Sequence, residues 1–340
     1  MQGSPVPTPV VARTAFASAR ANVARPTLYV VIVLFSVLCA FAYKLRTDSI
    51  FACPATGYGS DQYLAYCQTG GYGDYDHGAF WFDLEPAAQR AAADAQVLFV
   101  GNSRMQFALS TRATERWFAS SPALHYLMGF SFGENALFVS PLLARVKPRA
   151  SVYVINVDRF FDDAMTAPAE AIQRRSSETQ QSYDEKKRWQ IFHKGICGSI
   201  PSICGDQVAF FRSRSTGAWQ FKGTENFHAA PVSDDVPDAD DRDHWKRYAA
   251  MGEDFVSHLP VDRRCVILTV APWQATKAAE ARAIATALKI DLVMPELDGL
   301  RTFDGDHLDQ SSAERWSAAF FEGAGPRIRQ CLHDAHAPGR

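Results

Sequence analysis

The stretch Gln96-Val97-Leu98-Phe99-Val100-Gly101-Asn102-Ser103-Arg104 decides the fold. Gln96–Val100 reads as an apolar run without alternation, the pattern of a strand buried on both faces. Gly101 permits a tight turn, and the residues from Ser103 to about Phe118 read as a helix. A buried strand that turns sharply into a helix is the opening unit of a parallel α/β sheet.

The same rhythm continues outward. His125–Phe130 is a second strand candidate. Glu134–Val146 reads as a helix with Leu137, Leu142 and Val146 on its apolar face, ended by Lys147-Pro148. Ser151–Val157 (SVYVINV) and Cys265–Val270 (CVILTV) are the third and fourth strands, and Asp291–Met294 a fifth. Helices are expected from about Gln274 to Leu288 and over Ser311–Phe321. This alternation predicts a doubly wound, mostly parallel α/β sheet over residues 86–335, with ligands at the carboxyl ends of the strands. Residues 159–260 break the rhythm. They read as a partly helical insertion, a candidate lid, with an acidic stretch at 234–243. Residues 48–85, rich in Gly, Tyr and Phe (TGGYGDYDHGAFWFD at 69–83), read as an irregular linker packed on the domain.

Before the domain lies Leu28–Tyr43 (LYVVIVLFSVLCAFAY), which carries no charge. Arg13, Arg20 and Arg25 precede it, and Lys44 and Arg46 follow. Residues 28–43 are expected to span a membrane once, the flanking Lys and Arg stems extending the short run. Residues 1–27 would then form a disordered cytoplasmic tail, with the domain exported across a bacterial-type inner membrane to the periplasm. A cleaved signal peptide ending near Ala40-Phe41-Ala42 and a buried core helix are the competing readings.

The chain of 340 residues is 47% hydrophobic and carries a formal net charge of -2. That suffices for one large core and lacks the basic excess that a nucleic-acid partner requires. Of its seven cysteines, Cys39 lies in the apolar run. The others (Cys53, Cys67, Cys197, Cys204, Cys265 and Cys331) form an even set, as an exported disulfide-bonded domain would have. Local pairing joins Cys53 to Cys67 and Cys197 to Cys204, and leaves Cys265 with Cys331. There is no CxxC and no histidine at ligand spacing from a cysteine pair, so no metal or other cofactor is expected.

Two features carry chemistry. Ser103, on the turn after the first strand, is a candidate nucleophile, with the following helix N-terminus supplying N–H groups to an oxyanion. An Asn or Ser helix cap is the plainer reading of Asn102-Ser103. Near the other end, Asp304-Gly305-Asp306-His307 precedes the last helix. His307 is a candidate base, and Asp304 a carboxylate to hold its ring. In a doubly wound sheet both segments fall at one edge.

Together these segments resemble the SGNH, or GDSL-like, hydrolase superfamily. Gly101-Asn102-Ser103 stands for the first block, with Asn where Asp is usual, and Asp304-Gly305-Asp306-His307 for the last. The resemblance covers about residues 96–157 and 264–325. It implies a flavodoxin-like three-layer domain in which Ser103, Asp304 and His307 perform acyl transfer or ester hydrolysis. It also implies an oxyanion hole from the N–H groups of Ser103 and Gly133 (Gly129 as the alternative) and the Asn156 side chain. Ile155-Asn156-Val157-Asp158 lacks the glycine of the third block. Arg104 and Asn102 are candidate substrate-binding residues, with pairing to an acid as the other role for Arg104. The Gly-Asn-Ser form resembles membrane-anchored envelope members. These imply an exported polysaccharide or periplasmic glucan as substrate, with a multi-span membrane protein as the source of the acyl group. The contrasting expectation is a non-catalytic protein of the same fold that binds glycan or a membrane complex.

Overall fold

A computed structural model of the chain describes residues 15–69, 71–130, 134–223, 227–234 and 242–336. The chain opens with α1 (Ala15–Asp48), then β1 (Gln62–Cys67), β2 (Gly73–Asp74), α2 (Asp76–Trp81) and α3 (Pro86–Asp94). The α/β segment follows with β3 (Val97–Gly101), α4 (Ser103–Leu109), α5 (Arg112–Ser120), β4 (His125–Gly129), α6 (Ala136–Val146) and β5 (Val152–Asn156). Then come α7 (Ala167–Arg174), α8 (Ser177–Ser199), β6 (Ala209–Ser213), β7 (Trp219–Lys222), β8 (Ala230–Pro231) and α9 (Arg242–Ser257). The chain returns through β9 (Val266–Thr269), α10 (Ala278–Leu288) and β10 (Arg301–Thr302) to α11 (Gln310–His336).

The protein is mixed α/β around a parallel sheet of order β4-β3-β5-β9. Val97 pairs with His125 on one side and Val152 on the other, and Tyr153 pairs with Val266. The expected fifth strand shrinks to a bridge between Leu268 and Leu292, held by bonds from Leu268 N to Asp291 O and Val293 N to Leu268 O, both 2.9 Å. All five residues of β3 are buried, and they alternate between two cores. Leu98 and Val100 join a cluster with Phe80 and Phe138, while Val97 and Phe99 join one with Phe118, Trp316 and Phe320. Because side chains on a strand point alternately to opposite faces, a strand covered on both sides loses its polar alternation. The chain leaves β3 toward β4 and comes back on its other side as β5, so the switch point lies between the carboxyl ends of β3 and β5.

Several boundaries differ from the expectation. The helix expected from Ser103 to Phe118 is two helices. Ser110 Oγ donates to Gln106 O at 2.6 Å, and Thr111 Oγ1 accepts from Thr114 N at 3.1 Å, so two hydroxyls take over backbone groups and restart the helix. The last helix runs on to His336, well beyond Phe321. Residues 48–85 hold regular elements within an otherwise irregular segment. Gln62–Cys67 pairs antiparallel with Ala209–Ser213 of the insertion, giving a second sheet of order β2-β1-β6-β7. This partnership is invisible locally, because its two strands are separated by the whole α/β unit. Arg212, fully buried on β6, ion-pairs with Asp76 and donates to the carbonyls of Leu127 and Gly129, at 3.2 Å for Gly129, which fastens this sheet to the end of β4. The acidic stretch lies mostly outside the described residues, since 235–241 are not among them.

α1 is longer than the expected span. It begins at Ala15, so residues 15–27 are helical, and residues 1–14 lie outside the described part. Its apolar window, Pro26–Lys44, is long enough to cross a membrane and is not buried against the rest of the protein. The three expected disulfides are present: Cys53–Cys67, Cys197–Cys204 and Cys265–Cys331. Cys39 is free and exposed on α1.

Candidate active site

Gly101 ends β3 where an added Cβ would lie 2.7 Å from Asn156 Cβ, so only glycine lets β3 and β5 close up at their carboxyl ends. Asn102 then caps α4, its Oδ1 accepting from Arg104 N at 3.1 Å and Met105 N at 3.4 Å. Ser103 is the first helical residue. Its N–H belongs to the helix-start donors that have no intrahelical acceptor, and the helix dipole favours negative charge there.

The loop after β10 delivers the histidine. Phe303 N donates to His307 O at 2.9 Å, and Gly305, at φ 93°, turns the loop between them. His307 Nε2 lies 2.8 Å from Ser103 Oγ, and His307 Nδ1 lies 2.7 Å from Asp304 Oδ2. The other oxygen of Asp304 accepts from the backbone of His307 at 2.8 Å and Asp306 at 3.0 Å. Burial pushes the Asp304 carboxyl up, but the His307 ring and these N–H groups outweigh it and hold it below the usual carboxylate value. An ionised Asp304 fixes the proton on Nδ1 and leaves Nε2 to accept from the serine. The imidazole rests on Phe107, with ring centroids 4.5 Å apart, and stacks with Phe303 at 5.7 Å. These two rings limit its rotation. Ser103, His307 and Asp304 therefore form one hydrogen-bonded series, drawn from segments about 200 residues apart.

The other expected site residues fall differently. Asn156 is fully buried, and both ends of its amide are engaged. Its Nδ2 donates to Asn102 Oδ1 at 2.9 Å, and its Oδ1 accepts from Ala271 N at 2.9 Å. It is a strut between β5, α4 and the end of β9, which takes the amide oxygen and one of the two Nδ2 hydrogens that an oxyanion was expected to use. The Gly129 N–H is also engaged, donating to Gln106 Oε1 at 3.0 Å. Gly133 lies outside the described residues. Asn102 is 3% exposed and donates to Asp158, so it is structural and not free for substrate.

Of the two expected roles for Arg104, the structure shows the pairing with acids. It donates to Asp158 Oδ2 at 2.5 Å and to Asp306 Oδ1 at 2.8 Å, and its guanidinium sits 3.7 Å above the Trp273 ring. Burial lowers its affinity for a proton, but Asp158 and Asp306 outweigh this and keep it charged. One planar cation thus ties the exit of β5 to the loop that carries His307. Gln106, Trp273 and Phe107 were not singled out from sequence. The only signal for Gln106 was a polar residue inside the apolar run Met105–Leu109, and it is fully buried, bridging Gly129 N and Gly217 O.

His193 lies close to Cys197 and Cys204, but those sulfurs are bonded to each other and offer no thiolate to a metal. Comparison with protein-family models, curated proteins and solved structures gave no match.

Proposed function

We propose that this chain is a membrane-anchored serine enzyme of the SGNH type, acting by acyl transfer or ester hydrolysis on an exported glycan. The observation that carries the reading is the series Ser103–His307–Asp304, with contacts of 2.8 and 2.7 Å at the start of a helix and the switch point of the sheet. In this reading His307 Nε2 takes the proton of Ser103 as Oγ bonds to the acyl carbon. The oxyanion that forms is held by the Ser103 N–H at the start of α4. Collapse breaks the bond to the leaving oxygen, which receives the proton from Nε2. Water or a sugar hydroxyl then attacks the acyl-enzyme, His307 accepting its proton and returning one to Ser103. A sugar hydroxyl makes the enzyme a transferase, and water an esterase. For transfer, a multi-span membrane protein would bring the acyl donor to the exported side.

The arginines before the apolar window of α1 and the disulfides after it support a cytoplasmic N-terminus and a periplasmic domain in the inner membrane. A second reading, a non-catalytic scaffold that binds glycan or a membrane complex, draws on Asn156 and Gly129. The Gly129 N–H and one N–H of the Asn156 amide are engaged in structural bonds.

The test compares the full chain with Ser103→Ala. Labelling by a fluorophosphonate probe and turnover of p-nitrophenyl acetate are expected in the first and absent in the second. Acetylation of an added chitooligosaccharide or glucan would mark a transferase. A folded wild-type chain that takes up no probe would sink the catalytic reading and favour the scaffold.

A further inference from the structure

Among the described residues outside α1, the large apolar side chains left exposed concentrate in one place. Trp189, Ile191, Phe192, Ile200 and Ile203 are between 42 and 63% exposed, and all lie in the second half of α8 or in the turn after it. Soluble surfaces rarely keep so contiguous an apolar patch without a use for it. The opposite face of α8 is satisfied: Tyr183, Gln190, His193 and Cys197 are buried, and the Cys197–Cys204 disulfide fixes the turn that presents Ile200 and Ile203. Arg188 and Lys194, both exposed, flank the aromatic pair Trp189–Phe192, whose rings are 6.1 Å apart.

The position of this patch relative to α1 says what covers it. Arg46 Nη1 donates to the carbonyl of Ser202, between Ile200 and Ile203, at 3.3 Å. Arg46 lies two residues beyond Lys44, where the apolar window ends, a rise of about 3 Å along the helix. The window of 19 residues is about 28 Å long, close to a bilayer's hydrocarbon thickness. The segment after α1 returns at once to α8, with Phe51 against the His193 ring at 5.9 Å and Cys53 O 3.2 Å from His193 Nε2. If α1 spans the bilayer, the turn at 200–203 is held at headgroup depth.

We infer that the end of α8 and its disulfide-closed turn form a second membrane contact, lying in the outer face of the same bilayer that α1 crosses. Trp189, Phe192, Ile200 and Ile203 enter the boundary between headgroups and acyl chains, and Arg188 and Lys194 face anionic headgroups. This rests on the reading of α1 as a membrane span. The contact orients the serine site through the antiparallel sheet. Phe211 on β6 meets Tyr58, which meets His193 of α8, while the adjacent Phe210, on the opposite face, meets Phe107 beneath His307. The sheet is therefore a spacer between the membrane-facing helix and the site.

The test places the full chain, one copy per disc, in nanodiscs of phosphatidylglycerol and phosphatidylcholine brominated at a shallow or a deep acyl position. Of the seven tryptophans, the Trp189→Phe variant isolates one. A quenched component that is stronger with shallow bromines and missing from Trp189→Phe is the expected result. In a Phe192→Asp/Ile200→Asp variant with unchanged circular dichroism, that component should fade and quenching by aqueous iodide should rise. Equal quenching of wild type and Trp189→Phe, in a chain that resists alkaline extraction from vesicles, overturns the second contact and leaves the span intact. Release of the chain by alkali overturns the span reading, and this inference with it.

Discussion

Asn102 donates from Nδ2 to the Asp158 carboxylate at 3.1 Å, and this bond explains why residue 102 is an amide. Its Oδ1 accepts from Asn156 Nδ2 at 2.9 Å, and its Nδ2 also donates to the Asp158 carbonyl at 3.0 Å. An aspartate has no such donor when ionised. Asn102→Asp, which would restore Gly-Asp-Ser, sets a second carboxylate against the fully buried Asp158 side chain. The expected cost is about 3 kcal/mol or more at neutral pH, partly recovered in acid as one carboxyl takes a proton. Urea denaturation at two pH values reads this, and an unchanged midpoint would refute the account.

Asp304→Asn should leave the fold in place and cost about 10^4-fold in kcat with little change in KM, because the asparagine no longer dictates which ring nitrogen of His307 carries the proton. Since the native carboxyl is held below its usual value, its pairing contributes stability above the unfolded value and loses it as pH falls through the lower folded one. The acid limb of the wild-type stability curve, absent in the variant, checks the sign.

Arg104 serves two acids on separate loops, a task for a fork and not for a point charge. In Arg104→Lys the charge beside Asp158 persists while the grip on Asp306 loosens. A fall of about 10–100-fold in kcat with a near-native KM and melting temperature is expected, in line with misplacement of a catalytic group. Arg104→Met, by contrast, strands the buried Asp158 carboxylate and should destabilise the protein by about 3–5 kcal/mol. If lysine and methionine behave alike, the positioning role is wrong.

His77 is buried between Asp74, 3.0 Å from its Nε2, and Glu134, 2.9 Å from its Nδ1. Burial alone would lower its pKa, but the two carboxylates outweigh it and raise it well above 6.5. A raised folded pKa means that the stabilisation is complete below pH 6.5 and is lost as pH rises through the folded value. His77→Gln should therefore be most costly in mild acid, with the difference from wild type narrowing in base. Thermal melts across that range measure it, and a difference independent of pH would exclude the charged pair.

The sequence by itself determined the parts that are periodic or chemically punctuated. The parallel strands are apolar because both their faces are covered, so β3, β4, β5 and β9 were legible within a few residues. The long apolar helix was legible from its missing charge, and the three disulfides from an even cysteine set paired mostly at short range. Ser103, Asp304 and His307 were legible because a turn after a buried strand and an Asp-x-x-His loop leave local marks.

Only the tertiary structure decided which groups meet. Asn156 reads like an oxyanion donor in one dimension, yet packing β5 against α4 commits its amide oxygen to Ala271 and one Nδ2 hydrogen to Asn102. Arg212, Gln106 and Trp273 gained their roles from partners dozens to more than a hundred residues away, and the strand Gln62–Cys67 from Ala209–Ser213. Hydrogen bonding and close packing depend on approach in space, and a chain carries no local record of an approach that the whole fold creates.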